Sequence, residues 1–278
     1  MLGLIQNTVT LSAILLLAAL GGLMSERAGI INIALEGKML TAACVGATVS
    51  SISGQAVSGI FAGILAAVFL SLIHLFLTTK LEIDQIVSGM VINMSAIGIT
   101  DYTARQFNLG NKKVPEMPLM FFVILGLFLA ISLSYYFAKH RGGWQHLAVG
   151  YDPEKAREIG LNVPKIRFQA LVFTGIFAGL SGLLMMFNSG AFTNNMTAGR
   201  GFIALAALIV GGWRPLATLA ACVIFALADA MQTQFQGITI GGAVWPPAVW
   251  QSLPYLLTIL AMMFLVAKTK APAGLGKI

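Results

Sequence analysis

The sequence consists largely of apolar blocks, many of them close to twenty residues long, separated by short polar segments. A helix needs about 20 apolar residues to cross the roughly 30 Å of hydrocarbon in a bilayer. Only 10% of the 278 residues are charged and 58% are apolar, so too few polar side chains remain to cover a soluble fold. We therefore predict an all-α polytopic membrane protein, with residues 1–278 forming a single transmembrane domain in the lipid bilayer.

The apolar blocks predict about nine transmembrane helices, with eight or ten as alternatives. Eight segments have the composition of a full crossing, namely 9–24, 29–50, 56–78, 86–105, 118–138, 166–187, 216–233 and 249–267. A ninth, 201–212, is short and bounded by glycines, which is typical of a half-helix packed inside a bundle.

The positions of the basic residues predict the orientation. If the loop 140–165 is cytoplasmic, the inner side carries 13 of the 17 lysines and arginines. These are Arg27, Lys38, Lys80, Lys139, Arg141, Lys155, Arg157, Lys165, Arg167, Arg214, Lys268, Lys270 and Lys277. The outer side carries the other four, Arg105, Lys112, Lys113 and Arg200. Because cytoplasmic loops are enriched in Lys and Arg, we expect the N-terminus outside and the C-terminus in the cytoplasm. This pattern also explains the net charge of +7 without a nucleic-acid partner.

The longest polar stretch contains the signals of one short, capped helix. Asp152 can cap a helix that starts at Pro153, Glu154 lies near its positive end, and Gly160 follows Ile159 as a stop. We predict a helix of about two turns over 153–159 at the cytoplasmic face, charged on one side and with Ala156 and Ile159 on the other. Two interpretations stay open, a surface helix that orders a loop and a docking helix for a soluble partner.

Several segments resemble a known family. Ala148–Lys165 with Ala178–Gly182 resembles the coupling-helix region of ABC importer permeases of the branched-chain amino acid, ribose and nucleoside group. Glu26–Leu40 looks like the N-terminal signature of nucleoside and simple-sugar permeases, and Gly199–Ala207 with Gly211–Pro215 resembles a late segment of the same group. Gln251–Leu256 extends the similarity nearly to the C-terminus. Lys38 departs from the pattern, because many relatives carry an uncharged residue there.

The resemblance implies a permease subunit in a bacterial inner membrane that carries nucleosides or a related simple sugar. Its implied partners are ABC ATPase subunits, a second related permease and an extracytoplasmic substrate-binding protein. The helix at 153–159 would then dock into the ATPase through Asp152, Pro153, Glu154, Lys155, Ala156, Arg157, Glu158, Ile159 and Gly160. No resident cofactor is expected.

The motifs that are missing from the sequence limit the alternatives. A phosphate-binding loop is not present, because Gly274-Leu-Gly-Lys277 lacks the following hydroxyl residue and helix. Catalytic motifs such as HExxH and GxSxG are also missing, so we expect neither an enzyme nor a metal site. Cys44 and Cys222 lie in apolar segments and are expected to be inert thiols. A secondary transporter or channel for a small polar solute remains the alternative.

The solute path is predicted to use polar side chains within the spans. Asn32 and Glu36 are four residues apart and would share a helix face, with Asn93 on another span. Polar groups in hydrocarbon tend to face the interior of a bundle, where they line a path or bond one helix to another. We select these three residues as candidates for the path.

Overall fold

The computed structural model of this protein describes residues 2–235, 239–240, 243–244, 246–265 and 270–277. It is helical apart from a pair of two-residue antiparallel strands, β1 (Thr239–Ile240) and β2 (Ala243–Val244). The helices are α1 (Leu2–Glu26), α2 (Leu35–Ser53), α3 (Ala56–Thr79), α4 (Gln85–Phe107), α5 (Leu119–Lys139), α6 (Arg141–Tyr151), α7 (Pro153–Glu158), α8 (Val163–Ser189), α9 (Arg200–Val210), α10 (Pro215–Phe235), α11 (Pro247–Gln251) and α12 (Leu253–Leu265), with a 3-10 turn at Leu109–Asn111.

Five of the described helices are long and apolar enough to cross a membrane, namely α1, α3, α5, α8 and α10. Helix α4 has 23 residues but is more polar, whereas α9 and α12 have 11 and 13 residues, too few for a full crossing. The last predicted span, 249–267, is divided between α11 and α12, and its final two residues lie outside the described ones. These helices confirm a multi-pass membrane protein, while the count of nine crossings stays a prediction.

The prediction that a helix runs from residue 29 is wrong, because α2 begins at Leu35. The backbone before it bonds to distant side chains instead of forming helical hydrogen bonds. Gln85 Oε1 accepts from the Ile31 amide at 2.6 Å, and Asn93 Nδ2 donates to the Ile33 carbonyl at 3.0 Å. Residues 27–34 therefore form a non-helical segment, the entry segment, which leads into α2.

The entry segment penetrates the bundle. The Gly37 amide in the first turn of α2 donates to Asn93, nine residues along α4 from its cap Asp84. Nine helical residues correspond to about 13 Å. Helix α2 thus begins roughly that far inside the end of α4, where a non-helical backbone is stable only because protein groups satisfy its hydrogen bonds.

Helices α1 and α8 form the buried centre of the bundle and run antiparallel. Thr174 Oγ1 donates to the Gly21 carbonyl at 2.8 Å, and Ser181 Oγ donates to the Ile14 carbonyl at 2.6 Å. On the next side of α8, Gly175 and Gly179 lie directly against the backbone of α3. Small residues at this spacing allow helices to approach closely, and here the close contact lies within this chain.

The C-terminal tail and α7 lie at the same end of the bundle. The amides of Gly274 and Gly276 donate to the carbonyls of Gly150 and Gly29, each at 3.0 Å. The C-terminus of α1 lies at this end too, because the Met24 carbonyl is bonded to His146 of α6. We call this end of the molecule the α7 end. The N-terminus of α1 therefore lies toward the opposite end of the bundle.

Candidate functional site

The short helix α7 has the cap that the sequence predicts. Asp152 Oδ1 accepts from the Lys155 amide at 3.1 Å, Pro153 is the first helical residue, and Gly160 has a φ of +84°. The bond from the Lys155 amide lowers the pKa of Asp152, because it favours the ionised carboxylate. The helix ends at Glu158, one residue earlier than predicted.

Helix α7 is held by an apolar contact beneath it. Ala156 is 2% exposed and packs with Val149 of α6 and Val163 of α8. The prediction that Ile159 lies on the same side as Ala156 is wrong, because Ile159 follows the last helical residue and is 72% exposed. An anchored helix with charged side chains and one exposed isoleucine can present a rigid mixed surface to another protein.

The side chains in and around the entry segment form a buried polar chain. Asn32 Nδ2 donates to Ser25 Oγ at 3.1 Å, and Lys38 Nζ donates to Asn32 Oδ1 at 2.8 Å. The prediction that Lys38 lies on the cytoplasmic side is wrong, since its side chain is fully buried where α2 starts inside the bundle. Without Lys38, 12 of the 13 basic residues remain for the predicted inner side, against four outside.

Glu36 and Asn93 bond to two different parts of the protein. The Glu36 carboxylate accepts from the amides of Gly199 at 2.7 Å and Gly201 at 2.6 Å, at the N-terminus of α9. The Asn93 side chain accepts from the Gly37 amide at 2.8 Å. Both candidates are buried, as is Asn32, and the expected helix face shared by Asn32 and Glu36 is not formed because Asn32 precedes α2. In this conformation all three bond to protein groups.

A second buried carboxylate was not selected from the sequence. Glu26 at the end of α1 accepts from Trp213 Nε1 at 2.6 Å, and both residues are buried. Glu26 and Trp213 lie in two of the segments that resemble the permease family. That shared resemblance is the sequence signal that could have suggested a contact between these two residues. Asp101 and Arg105, four residues apart on α4, form a local salt bridge with a 2.7 Å contact.

Helix α4 has a mostly apolar outward face, because polar side chains such as Asn93 are buried in the bundle. It packs mainly against α2 and α3, and it exposes Met90, Met94 and Tyr102, with Gly98 on the same side. No atom lies within 4 Å of the position that a Cβ at Gly98 would occupy. A long helix that is packed on one side only leaves such a face for lipid or for another subunit.

Comparison with known proteins gives one consistent result. The sequence profile of the family described as "Branched-chain amino acid transport system / permease component" matches residues 4–262. The guanosine ABC transporter permease protein NupQ of Bacillus subtilis is 32% identical, over 98% of this chain and 94% of its own. The nucleoside ABC transporter permease protein NupC of Lactococcus lactis is 28% identical, over 98% and 95%.

A provisionally named relative and a solved structure agree with this result. TsgC13 of Haloferax volcanii, provisionally named a glucose ABC transporter permease, is 31% identical over 97% of this chain and 93% of its own. An ABC transporter described as of metal-chelate type, in an inward-facing conformation, matches with a TM-score of 0.54. That match covers 96% of this chain and 85% of the solved chain at 15% identity, so it concerns the fold alone.

Proposed function

Since this chain belongs to the family of permease components of branched-chain amino acid transport systems, we propose that it forms the path of an importer for nucleosides or a related simple sugar. It is a transport subunit, and ATP hydrolysis takes place on partner chains. The names of NupQ and NupC favour a nucleoside, and that of TsgC13 keeps a sugar as the second candidate. Membership of this family decides against a secondary transporter or channel.

The arrangement in the membrane is a further part of the proposal. Residues 1–278 form one transmembrane domain of about nine crossings in a bacterial inner membrane, with the N-terminus outside. The α7 end is cytoplasmic, which also places the C-terminus inside. Twelve basic residues on the proposed inner side against four outside support this orientation, as does the contact of Gly274 with Gly150.

In this proposal α7 is the coupling helix that inserts into an ABC ATPase, and an external binding protein delivers the solute. The observation that carries it is a capped helix, seated on Ala156, with Glu154, Arg157 and Ile159 exposed. A rigid helix can transmit the motion of the ATPase to the spans, whereas a flexible loop would absorb it. Asp152 and Gly160 fix its two ends.

The outward face of α4 is proposed to line the path against a second, related permease. The path is stabilised by three buried residues that fix the start of α2 and the start of α9, namely Asn32, Glu36 and Asn93. Tyr102, which is 70% exposed, offers an aromatic surface on which a nucleobase could stack. Met90 and Met94 add flexible contacts that suit a site from which the solute must be released.

Co-purification of the tagged chain with its partners tests the coupling helix. The charge-reversal pair Asp152→Arg/Glu154→Arg should lose the ATPase, because the first removes the cap and both reverse the exposed charge. The control is Lys112→Glu/Lys113→Glu, which reverses two exposed charges in the predicted outer loop. If the ATPase stays with the first variant, or leaves with the control as well, α7 is not the docking helix.

Transport of guanosine and of glucose into membrane vesicles tests the solute and the path. Tyr102→Ala should raise the guanosine concentration for half-maximal transport, by about tenfold for a lost stacking contact of 1–2 kcal/mol. Phe128→Ala is the control, because Phe128 is a similarly exposed aromatic residue on the apolar helix α5. If the two substitutions have equal effects on transport, α4 does not line the path. If ATP drives the uptake of glucose but not of guanosine, the solute is a sugar and not a nucleoside.

A further inference from the structure

A cavity of about 460 Å³ lies at the α7 end, between the C-terminus of α3 and the N-terminus of α8. Its apolar walls include Leu75, Phe76 and Phe168. Phe76 and Phe168 are 54% and 48% exposed, so the cavity opens toward the surface that the spans offer to lipid. The exposed Phe69 on the preceding turns of α3 continues this apolar surface away from the α7 end.

Three cations line the other part of the cavity, Lys80, Arg157 and Arg167. Lys80 and Arg157 are exposed, whereas Arg167 is only 3% exposed. Among the residues that the structure describes, none of the three forms a salt bridge and no carboxylate lines the cavity. Arg167 donates two hydrogen bonds, to the carbonyls of Ala28 and Lys277, and these neutral groups do not cancel its charge in the way a described carboxylate would.

This combination of charge and apolar surface defines what the cavity can hold. Three like charges around one cavity repel one another, and an anion bound among them removes this repulsion. A small anion such as inorganic phosphate would compensate the charge but leave Phe76 and Phe168 uncovered. An amphiphile with an anionic headgroup satisfies both parts, with the headgroup at the cations and the acyl chains along α3 and α8.

We propose that this cavity binds an anionic phospholipid, whose phosphate lies among Lys80, Arg157 and Arg167. The lipid connects α3 to α7, because Lys80 follows the end of α3 and Arg157 lies in the last turn of α7. It therefore fixes the position of α7 from the membrane side. This site does not depend on the identity of the solute, but it shares Arg157 with the proposed docking surface for the ATPase.

Native mass spectrometry of the purified chain tests the site. The chain is titrated with phosphatidylglycerol, with phosphatidylcholine or with inorganic phosphate, and bound lipid and thermal unfolding are both measured. Phosphatidylglycerol should bind and raise the unfolding temperature, whereas phosphatidylcholine should bind at least tenfold more weakly and phosphate should have no effect. Equal binding of the two lipids, or equal stabilisation by phosphate, would overturn the proposal.

Two variants separate this cavity from general lipid contact. Lys80→Gln/Arg157→Gln should weaken phosphatidylglycerol binding by tenfold or more, because each cation near a membrane surface adds to the attraction of anionic lipid. Lys112→Gln/Lys113→Gln removes the same charge elsewhere and should bind as wild type. If the double variant unfolds, Lys80→Gln alone provides the same test, with a smaller expected loss of phosphatidylglycerol binding. Displacement of the lipid by added ATPase subunits would show that the cavity belongs to the ATPase interface instead.

Discussion

The two hydrogen bonds that Glu36 accepts from the start of α9 allow a direct test of whether this residue is structural or touches solute. Its carboxylate accepts from Gly199 at 2.7 Å and Gly201 at 2.6 Å, and Glu36 is 4% exposed. The N-terminus of a helix carries a partial positive charge, so a buried carboxylate there is strongly favoured. In Glu36→Gln, one oxygen can still accept, but the amide NH₂ faces the second backbone N–H.

The size of the effect follows from these contacts. A hydrogen bond to a charged group contributes about 1.5–3 kcal/mol, and a buried N–H left without an acceptor costs about 1–3 kcal/mol. We expect Glu36→Gln to destabilise the start of α9 by about 3 kcal/mol, which corresponds to roughly a hundredfold increase in local opening. Hydrogen exchange of the amides in Arg200–Val210 should then be faster by about that factor, and the unfolding temperature should fall.

The control for this experiment is Glu116→Gln, which makes the same chemical change at an exposed residue. It should leave both hydrogen exchange in α9 and the unfolding temperature at the wild-type values. The structural role of Glu36 is refuted if Glu36→Gln keeps the protection of α9 and yet transport is lost. That result would mean that Glu36 acts on the solute, as the sequence first suggested.

Three further predictions concern other buried contacts. Trp213→Phe should destabilise the protein by about 1–3 kcal/mol in thermal unfolding, because the Glu26 carboxylate loses its donor, and pairing it with Glu26→Gln should recover part of the loss. Burial is the main cause that lowers the pKa of His146 to about 4, so folding should lose stability as the pH falls from about 6.5 toward 4. In His146→Gln the loss should be smaller, whereas an unchanged pH profile would exclude this histidine. Gly175→Ala should destabilise strongly, since its Cβ would lie 2.5 Å from the Cα of Val68, but Gly98→Ala should fold as wild type in the same assay.

The parts of the structure that the sequence predicted well depend on neighbouring residues. The cap of α7 needs only Asp152, Pro153 and Gly160 within one short stretch, and all three have the predicted conformations. The salt bridge between Asp101 and Arg105 likewise follows from a spacing of one helical turn. Such local rules are independent of how the spans pack.

The start of α2 could not be predicted in this way. Its entry segment bonds to His74, Gln85 and Asn93, which are 43 to 60 residues further along the chain. Hydropathy alone assigned residues 29–34 to a span, because Ile30, Ile31 and Ile33 are as apolar as helical residues. The position of Lys38 was mistaken for the same reason, since a buried start of α2 also buries its first turns.

The two buried carboxylates explain how a short helix can be held rigidly inside the bundle. Glu36 bonds to the N-terminus of α9, and Glu26 bonds to Trp213, three residues after its end. These glutamates flank the entry segment, whose Gly29 is bonded to the C-terminal tail, while Gly150 of α6 accepts from the same tail and lies directly against Arg27. A displacement of α6 and α7 therefore reaches α9 through a short series of direct contacts. Glu36→Gln also tests this connection, because it should uncouple ATP hydrolysis from uptake if the two glutamates transmit the motion, and should lower both together if they only stabilise the fold.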